Sequence, residues 1–166
     1  DGEAYKVPCH DLSDTVVWYR KHFNVEEIQD KKYFVEFEGV RFGADFYLNG
    51  HHLGLSENGV MASGYDLTPY IIKGENVLAV RADNSWTYRE RATKSRYQWN
   101  DKNFNANYGG IPKNVWLHVT GTVYQTLPLY SNLGTTGTYI YGSDFDIPAH
   151  KMQLNVEAEV KNDGKA

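Results

Sequence analysis

The sequence predicts an all-β protein built as a two-sheet antiparallel β-sandwich. Apolar and polar residues alternate in short segments bounded by Gly, Asn, Asp or Pro, and no segment keeps a 3.6-residue period over three turns. The chain of 166 residues is 41% hydrophobic, which suffices for one core and favours a single main domain. Its 13 Tyr and 4 Trp suit either sheet packing or stacking against sugars.

The strands follow from this alternation. They are predicted at Val16–Val25, Tyr33–Glu38, Ala44–Leu48, His52–Leu55, Gly59–Asp66, Asn76–Asp83, Val115–Thr120, Thr138–Tyr141 and Gln153–Val160. The strongest local signal is Asn49-Gly50, because these two residues accept the positive φ angles of a type I′ hairpin turn. The apolar run Val77–Val80 predicts a buried central strand. Residues 83–114 and 124–137 lack periodicity and are predicted to be irregular.

Composition excludes several classes of partner. A net charge of −4 and a pI near 5.8 leave no basic surplus for phosphates, so we expect no nucleic-acid partner. No stretch approaches the roughly 20 apolar residues that span a bilayer, so we expect no membrane partner. The one cysteine, Cys9, cannot form an internal disulfide and is interpreted as a small apolar filler.

No metal and no cofactor are predicted. The adjacent pair His51-His52 lies in a hairpin, where neighbouring side chains point to opposite faces, and no third ligand stands at a recognised spacing. A basic cluster, Arg89, Arg91, Lys94 and Arg96, has two open interpretations. It could contact an acidic sugar such as a uronate, or the rest of a larger protein.

Five blocks in order carry a resemblance to a known family. They are Trp18–Phe23, Phe37–Gly54, Tyr65–Tyr70, Gly74–Val80 and Tyr108–Leu117. Together they resemble the N-terminal sugar-binding domain of glycoside hydrolase family two, the family of β-galactosidases and β-glucuronidases, over roughly residues 15 to 120. The resemblance implies a jelly-roll, galactose-binding-domain-like sandwich. The tail Val156–Gly164 is similar to the opening strand of the immunoglobulin-like domain that follows in this family. We therefore expect a sandwich domain at 1–145, and at 146–166 a linker and a truncated first strand, unpaired in this chain.

No catalytic residue is predicted in this chain. Retaining glycoside hydrolysis requires two carboxyl groups about 5 Å apart, one of them with a raised pKa. Three further acids, Asp83, Glu90 and Asp101, flank or occupy the long loop formed by the irregular residues 83–114. Each is interpreted as a solvated loop charge. The resemblance implies that both catalytic carboxylates lie in a later barrel domain.

The long irregular segment is the candidate site, because loops of about thirty residues in compact domains usually carry function. Its rings could stack on sugar C–H faces while its amides pair with hydroxyl groups. The predicted substrate-binding residues are Trp86, Trp99, Asn100, Asp101, Asn103, Asn105 and Tyr108. The alternative is that the rings pack on the sandwich or on a neighbouring domain. The resemblance implies that the loop reaches the catalytic pocket and that a substrate-holding acid stands near Phe104, where this sequence has amides instead.

The expected function is that of a non-catalytic domain that shapes the substrate pocket of a bacterial, exo-acting, retaining glycosidase. Its expected partners are carbohydrate and the remaining domains of that enzyme. An autonomous carbohydrate-binding module and a purely structural domain remain open as alternatives. The resemblance further implies a periplasmic or secreted protein.

Overall fold

The computed structural model describes residues 15–96, 109–128 and 132–164. Within these ranges all regular structure is β-strand. The strands are β1 (Val16–Val25), β2 (Lys31–Phe37), β3 (Gly43–Leu48), β4 (His51–Ser56), β5 (Ser63–Asp66), β6 (Gly74–Asp83), β7 (Val115–Gly121), β8 (Val123–Gln125), β9 (Thr138–Asp146), β10 (Lys151–Ala158) and β11 (Val160–Asn162). In the part of the chain described, no helix is long and apolar enough to cross a membrane.

Two antiparallel sheets form the body of the molecule. One has four strands in the order β1-β6-β3-β4, and the other has three in the order β5-β2-β7. The pairs β9–β10 and β8–β11 complete the described strands. The predicted all-β sandwich is confirmed, and every predicted strand has a counterpart. Only β8 and β11 were missed, because three residues are too few to display alternation.

The core lies between the two larger sheets. Phe46 on β3 is fully buried, and its ring centroid lies 4.6 Å from that of Phe37 on β2 and 4.6 Å from that of Tyr65 on β5. Phe34, also on β2, points the other way and packs on Tyr124 at 5.2 Å. Strand β2 is therefore buried on both faces: its residues from Tyr33 to Phe37 are all buried, including Glu36.

The Asn49-Gly50 hairpin turn forms as predicted. Its φ angles are +49° and +84°, and the flanking residues Leu48 and His51 are paired. The Asn49 side chain also joins the turn to its surroundings: its amide nitrogen donates to the Tyr70 carbonyl at 3.0 Å, and its oxygen accepts from the Val77 amide at 2.9 Å. The turn is thus fixed by its own conformation and by β6.

The end of the chain differs from expectation. The prediction of an unpaired final strand is wrong: β10 pairs with β9 from Lys151 opposite Asp146 to Ala158 opposite Thr138, and β11 pairs with β8. The predicted strand Thr138–Tyr141 is too short, because β9 continues to Asp146 and the chain then reverses through a turn at 147–150. The assignment of 146–166 to a following domain stays a prediction.

Tyr65 gives the fold a specific sensitivity to alkaline pH. Burial raises the pKa of its hydroxyl to about 12, above the ordinary value near 10 of the unfolded chain. The folded state therefore keeps a proton that the unfolded state releases, so stability is full below pH 10 and falls as the pH rises toward about 12. We expect urea-unfolding free energies measured between pH 9 and 12 to fall with pH, and less steeply in Tyr65→Phe. Burial also raises the pKa of Tyr124 to about 12, so part of the slope persists in the variant. Equal slopes in the two proteins would contradict this assignment.

Candidate functional site

The candidate site begins where β6 ends. The amide of Asn84 donates to the Thr15 carbonyl at 2.9 Å, joining this point to the start of β1. The Asp83 carboxylate accepts hydrogen bonds from the Ser85 amide at 3.1 Å, the Ser85 hydroxyl at 2.6 Å and Arg81 Nη2 at 2.8 Å. Asp83 is buried, so its interpretation as a solvated loop charge is wrong: it turns the chain out of the sheet.

The following residues fold back on themselves. The Glu90 amide donates to the Ser95 carbonyl and the Lys94 amide to the Glu90 carbonyl, both at 2.9 Å. Arg89 and Arg96 form an isolated antiparallel bridge. The Glu90 carboxylate accepts a hydrogen bond from the Thr93 hydroxyl, so Glu90, like Asp83, has a partner within its own loop. Residues 88–96 are therefore a compact, internally bonded loop.

Tyr88 and Glu57 attach this loop to the sheet. The Tyr88 hydroxyl donates to Glu57 Oε1 at 2.5 Å, and the Arg91 amide donates to the same oxygen at 2.8 Å. The Tyr88 ring occupies the space that a side chain at residue 43 would need, since a Cβ on Gly43 would lie 2.1 Å from the ring carbon Cζ. Burial, reinforced by the Glu57 carboxylate, raises the pKa of Tyr88, so the hydroxyl remains a donor at neutral pH.

Asp45 provides the second attachment. This buried carboxylate on β3 accepts a hydrogen bond from Arg91 Nη2 at 2.5 Å and pairs with His52 Nε2 at 2.9 Å. Arg81 Nη1 lies 3.8 Å from the same carboxylate. The bond to Asp45 raises the pKa of Arg91. Neither Asp45 nor Glu57 was predicted from the sequence, in which the only available signal was an acid within the apolar run Ala44–Leu48.

The far end of the long segment is anchored beside its start. Arg41 and Gly110 exchange two backbone hydrogen bonds, of 2.8 and 2.7 Å. Gly110 has a φ of +100°, which favours glycine, and a Cβ on Gly109 would lie 2.6 Å from the Cβ of Asn84. Both ends of the segment are therefore held at the same end of the sandwich.

The structure describes only part of the predicted substrate-binding set. Trp86 is half-buried, and its carbonyl accepts a hydrogen bond from Arg96 Nε at 3.2 Å. The other predicted residues, Trp99, Asn100, Asp101, Asn103, Asn105 and Tyr108, lie outside the described residues, so their role stays a prediction. Among the described residues, the structure brings together the groups that support the loop.

The basic cluster and the histidine pair have internal partners. Arg91 binds Asp45, Arg96 binds the Trp86 carbonyl and Arg89 Nη1 donates to the Lys94 carbonyl at 3.0 Å. His52 pairs with Asp45, whereas His51 stacks on Tyr70 with centroids 4.6 Å apart. Across the described ranges, no group of three His, Cys, Asp or Glu residues is placed to hold a metal ion.

Comparisons with known proteins point to one family. A sequence model described as the glycosyl hydrolase 2 galactose-binding domain-like family matches residues 4–120. A β-glucuronidase of Formosa agariphila is 40% identical over 164 residues, covering 93% of this chain and 16% of the relative. The β-galactosidase BoGH2A of Bacteroides ovatus is 37% identical over 139 residues, covering 81% of this chain and 14% of the relative.

Solved structures agree with these sequence relatives. The structure of a β-glucuronidase from glycoside hydrolase family 2 matches with a TM-score of 0.75 at 40% identity, over 90% of this chain and 16% of that one. A β-glycosidase from Bacteroides vulgatus matches with a TM-score of 0.66 at 27% identity, over 91% of this chain and 17% of that one. The chain thus spans less than a fifth of each of these matched proteins.

Proposed function

The chain belongs to the glycosyl hydrolase 2 galactose-binding domain-like family, and on that premise we propose that it is a non-catalytic domain that shapes the substrate pocket of a larger β-glucuronidase- or β-galactosidase-type enzyme. The enzyme would hydrolyse a terminal glycosidic bond with retention, using carboxylates located outside this chain. The relatives that it matches are several times longer, which supports a parent protein with further domains.

One observation carries this proposal: the loop base, meaning residues 88–96 and the return of the chain at Gly110, is fixed to the sheets by hydrogen bonds, two of them part-buried. Asp45 and Glu57 hold Arg91, Glu57 also holds Tyr88, and Gly110 closes the far end on Arg41. Pocket residues act only when held close to their working geometry, so a loop secured at both ends suits a pocket wall. In the sequence, the segment 97–108 joins these two anchored ends and contains the predicted residues Trp99, Asn100, Asp101, Asn103, Asn105 and Tyr108.

The exposed apolar surface of the β9–β10 hairpin favours a domain of a larger protein over an autonomous module. Its exposed side chains are Ile140, Phe145, Ile147, Met152, Leu154 and Val156. A stand-alone sugar-binding module would leave these residues in water, whereas a neighbouring domain would bury them. The hairpin therefore supports a domain of a larger enzyme and argues against an autonomous carbohydrate-binding module.

The test is made in the longer enzyme. We expect Asn103→Ala combined with Asn105→Ala to lower kcat/KM for 4-nitrophenyl β-glucuronide, or for the β-galactoside if that is the substrate, by about tenfold. The matched control is Lys73→Ala, an exposed bend residue at the opposite end of β6, which should leave kcat/KM unchanged. Equal kcat/KM values for the loop variant and the control on both substrates would reject the pocket role.

Calorimetric titration of the 166-residue chain separates the two remaining functions. Saturable binding of glucuronate, galactose or short oligosaccharides, lost in Trp86→Ala with Trp99→Ala, would favour an autonomous module. If the 166-residue chain bound no sugar and Asn103→Ala with Asn105→Ala left kcat/KM of the longer enzyme unchanged, a purely structural domain would be favoured. The proposed function requires no binding by the chain alone and impaired kinetics in the enzyme.

We further propose that the enzyme acts in the periplasm or outside the cell, which the family resemblance supports. Fractionation of the native bacterium, with activity measured in periplasmic, secreted and cytoplasmic fractions, tests this compartment. Activity confined to the cytoplasmic fraction would reject it.

A further inference from the structure

The side of the sandwich between β1 and β7 is open. The four-stranded sheet ends at β1 and the facing three-stranded sheet ends at β7, so among the described strands β1 is opposed by none. A groove of about 430 Å³ runs between these two edges. Its lining is mainly apolar and includes Tyr19, Phe23, Leu78, Ile111, Val115 and Leu117.

The inner row of β7 is unusually exposed. Three β7 residues are paired with β2 residues that face the core, and cross-strand partners point to the same side of a sheet. The pairs are Val115 with Phe37, Leu117 with Val35, and Val119 with Tyr33. The β2 members are at most 5% exposed, whereas Val115, Leu117 and Val119 are 41%, 46% and 50% exposed. The inward-facing apolar residues of β2 are therefore buried, whereas those of the neighbouring strand β7 are exposed.

The backbone of β7 also has hydrogen-bonding groups that need partners. Among the described residues, β7 has no neighbouring strand on the side away from β2, so the outward amides and carbonyls of that edge form no described sheet ladder. A helix or the flat surface of a domain could cover the groove but could not continue the ladder. An extended strand satisfies both requirements, since its backbone bonds to the edge while every second side chain enters the groove.

We propose that β7 pairs with an additional β-strand supplied by a part of the longer protein outside this chain. The added strand has apolar residues at alternate positions and an acidic residue facing Lys21, which also lines the groove. It converts the three-stranded sheet into a four-stranded one and sets four strands against four. This inference rests on the proposed function only in requiring a longer parent protein, and relatives of which this chain covers 16% make such a segment available.

Amide hydrogen exchange in the 166-residue chain and in the longer protein tests the pairing. With residue-level resolution, we expect every second amide of Val115–Gly121, those pointing away from β2, to exchange at least about tenfold more slowly in the longer protein. The alternate amides, already bonded to β2, serve as the internal control and should be protected in both. Amides of β6, a strand bonded on both sides, provide a second control.

Three outcomes would overturn the proposal. Rapid exchange of the outward β7 amides in both proteins would mean that no strand is added. Protection in the monomeric 166-residue chain would mean that its own residues already cover the edge. Protection only in a dimer of this chain, detected by sedimentation velocity, would make a second copy the occupant. None of these readouts depends on activity, so a failed pocket role and a failed strand addition are separable.

Discussion

Replacing Phe46 with alanine is expected to lower the free energy of unfolding by about 4 kcal/mol, the usual cost of removing a buried phenylalanine ring. Phe46 is 0% exposed and contacts rings from two strands of the opposite sheet, Phe37 and Tyr65, each at 4.6 Å. The variant loses apolar burial and also leaves a cavity, which the stiff β-sheets on either side cannot readily close.

Urea denaturation followed by tryptophan fluorescence measures this loss. The matched control is Val123→Ala, which removes an apolar side chain that is 60% exposed and should change stability by less than about 0.5 kcal/mol. A loss below about 1 kcal/mol for Phe46→Ala, with an unchanged denaturant slope, would show that the two sheets do not share the packed core described above.

The sequence predicted the sheets well because their signals are local. Alternation depends on neighbouring residues, and Asn49-Gly50 encodes its turn within two positions, so both are readable without knowledge of distant contacts. The strand β2 was also found, although it is buried on both faces, because Tyr33, Val35 and Phe37 keep the period of two. The short strands β8 and β11 lack enough residues to carry such a signal.

The supports of the candidate site could not be read from the sequence, because their partners are distant along the chain. Asp45 and Arg91 are 46 positions apart, and Glu57 and Tyr88 are 31 positions apart. Each acid looks like an ordinary polar residue until the fold brings its donor to it. Asp83 was misread for the same reason, since its burial depends on how β6 ends against the start of β1. The segment itself was identified because length and composition are local properties.

Asp45→Ala is expected to destabilise the fold by about 2 to 3 kcal/mol and to release the loop base at the same time. The carboxylate is buried, and its removal leaves Arg91, His52 and Arg81 without their shared acceptor. The loss falls below that of a fully buried ion pair, because the side chain of Arg91 is 50% exposed and can regain water. The control Glu26→Ala removes an exposed acid and should lie within about 0.5 kcal/mol of the wild type.

Limited trypsin digestion distinguishes loop release from general destabilisation. The loop contains four cleavage sites, Arg89, Arg91, Lys94 and Arg96, so its opening is read directly from the fragments. In Asp45→Ala, cleavage at these sites should accelerate by about tenfold while Lys32 in β2 and Arg81 in β6 remain uncleaved, because local opening needs less free energy than global unfolding. In Phe46→Ala, by contrast, all sites should become more sensitive together. If Asp45→Ala also increased cleavage at all sites together, Asp45 would stabilise the sandwich as a whole. The loop would then be held in place by Glu57 and Tyr88.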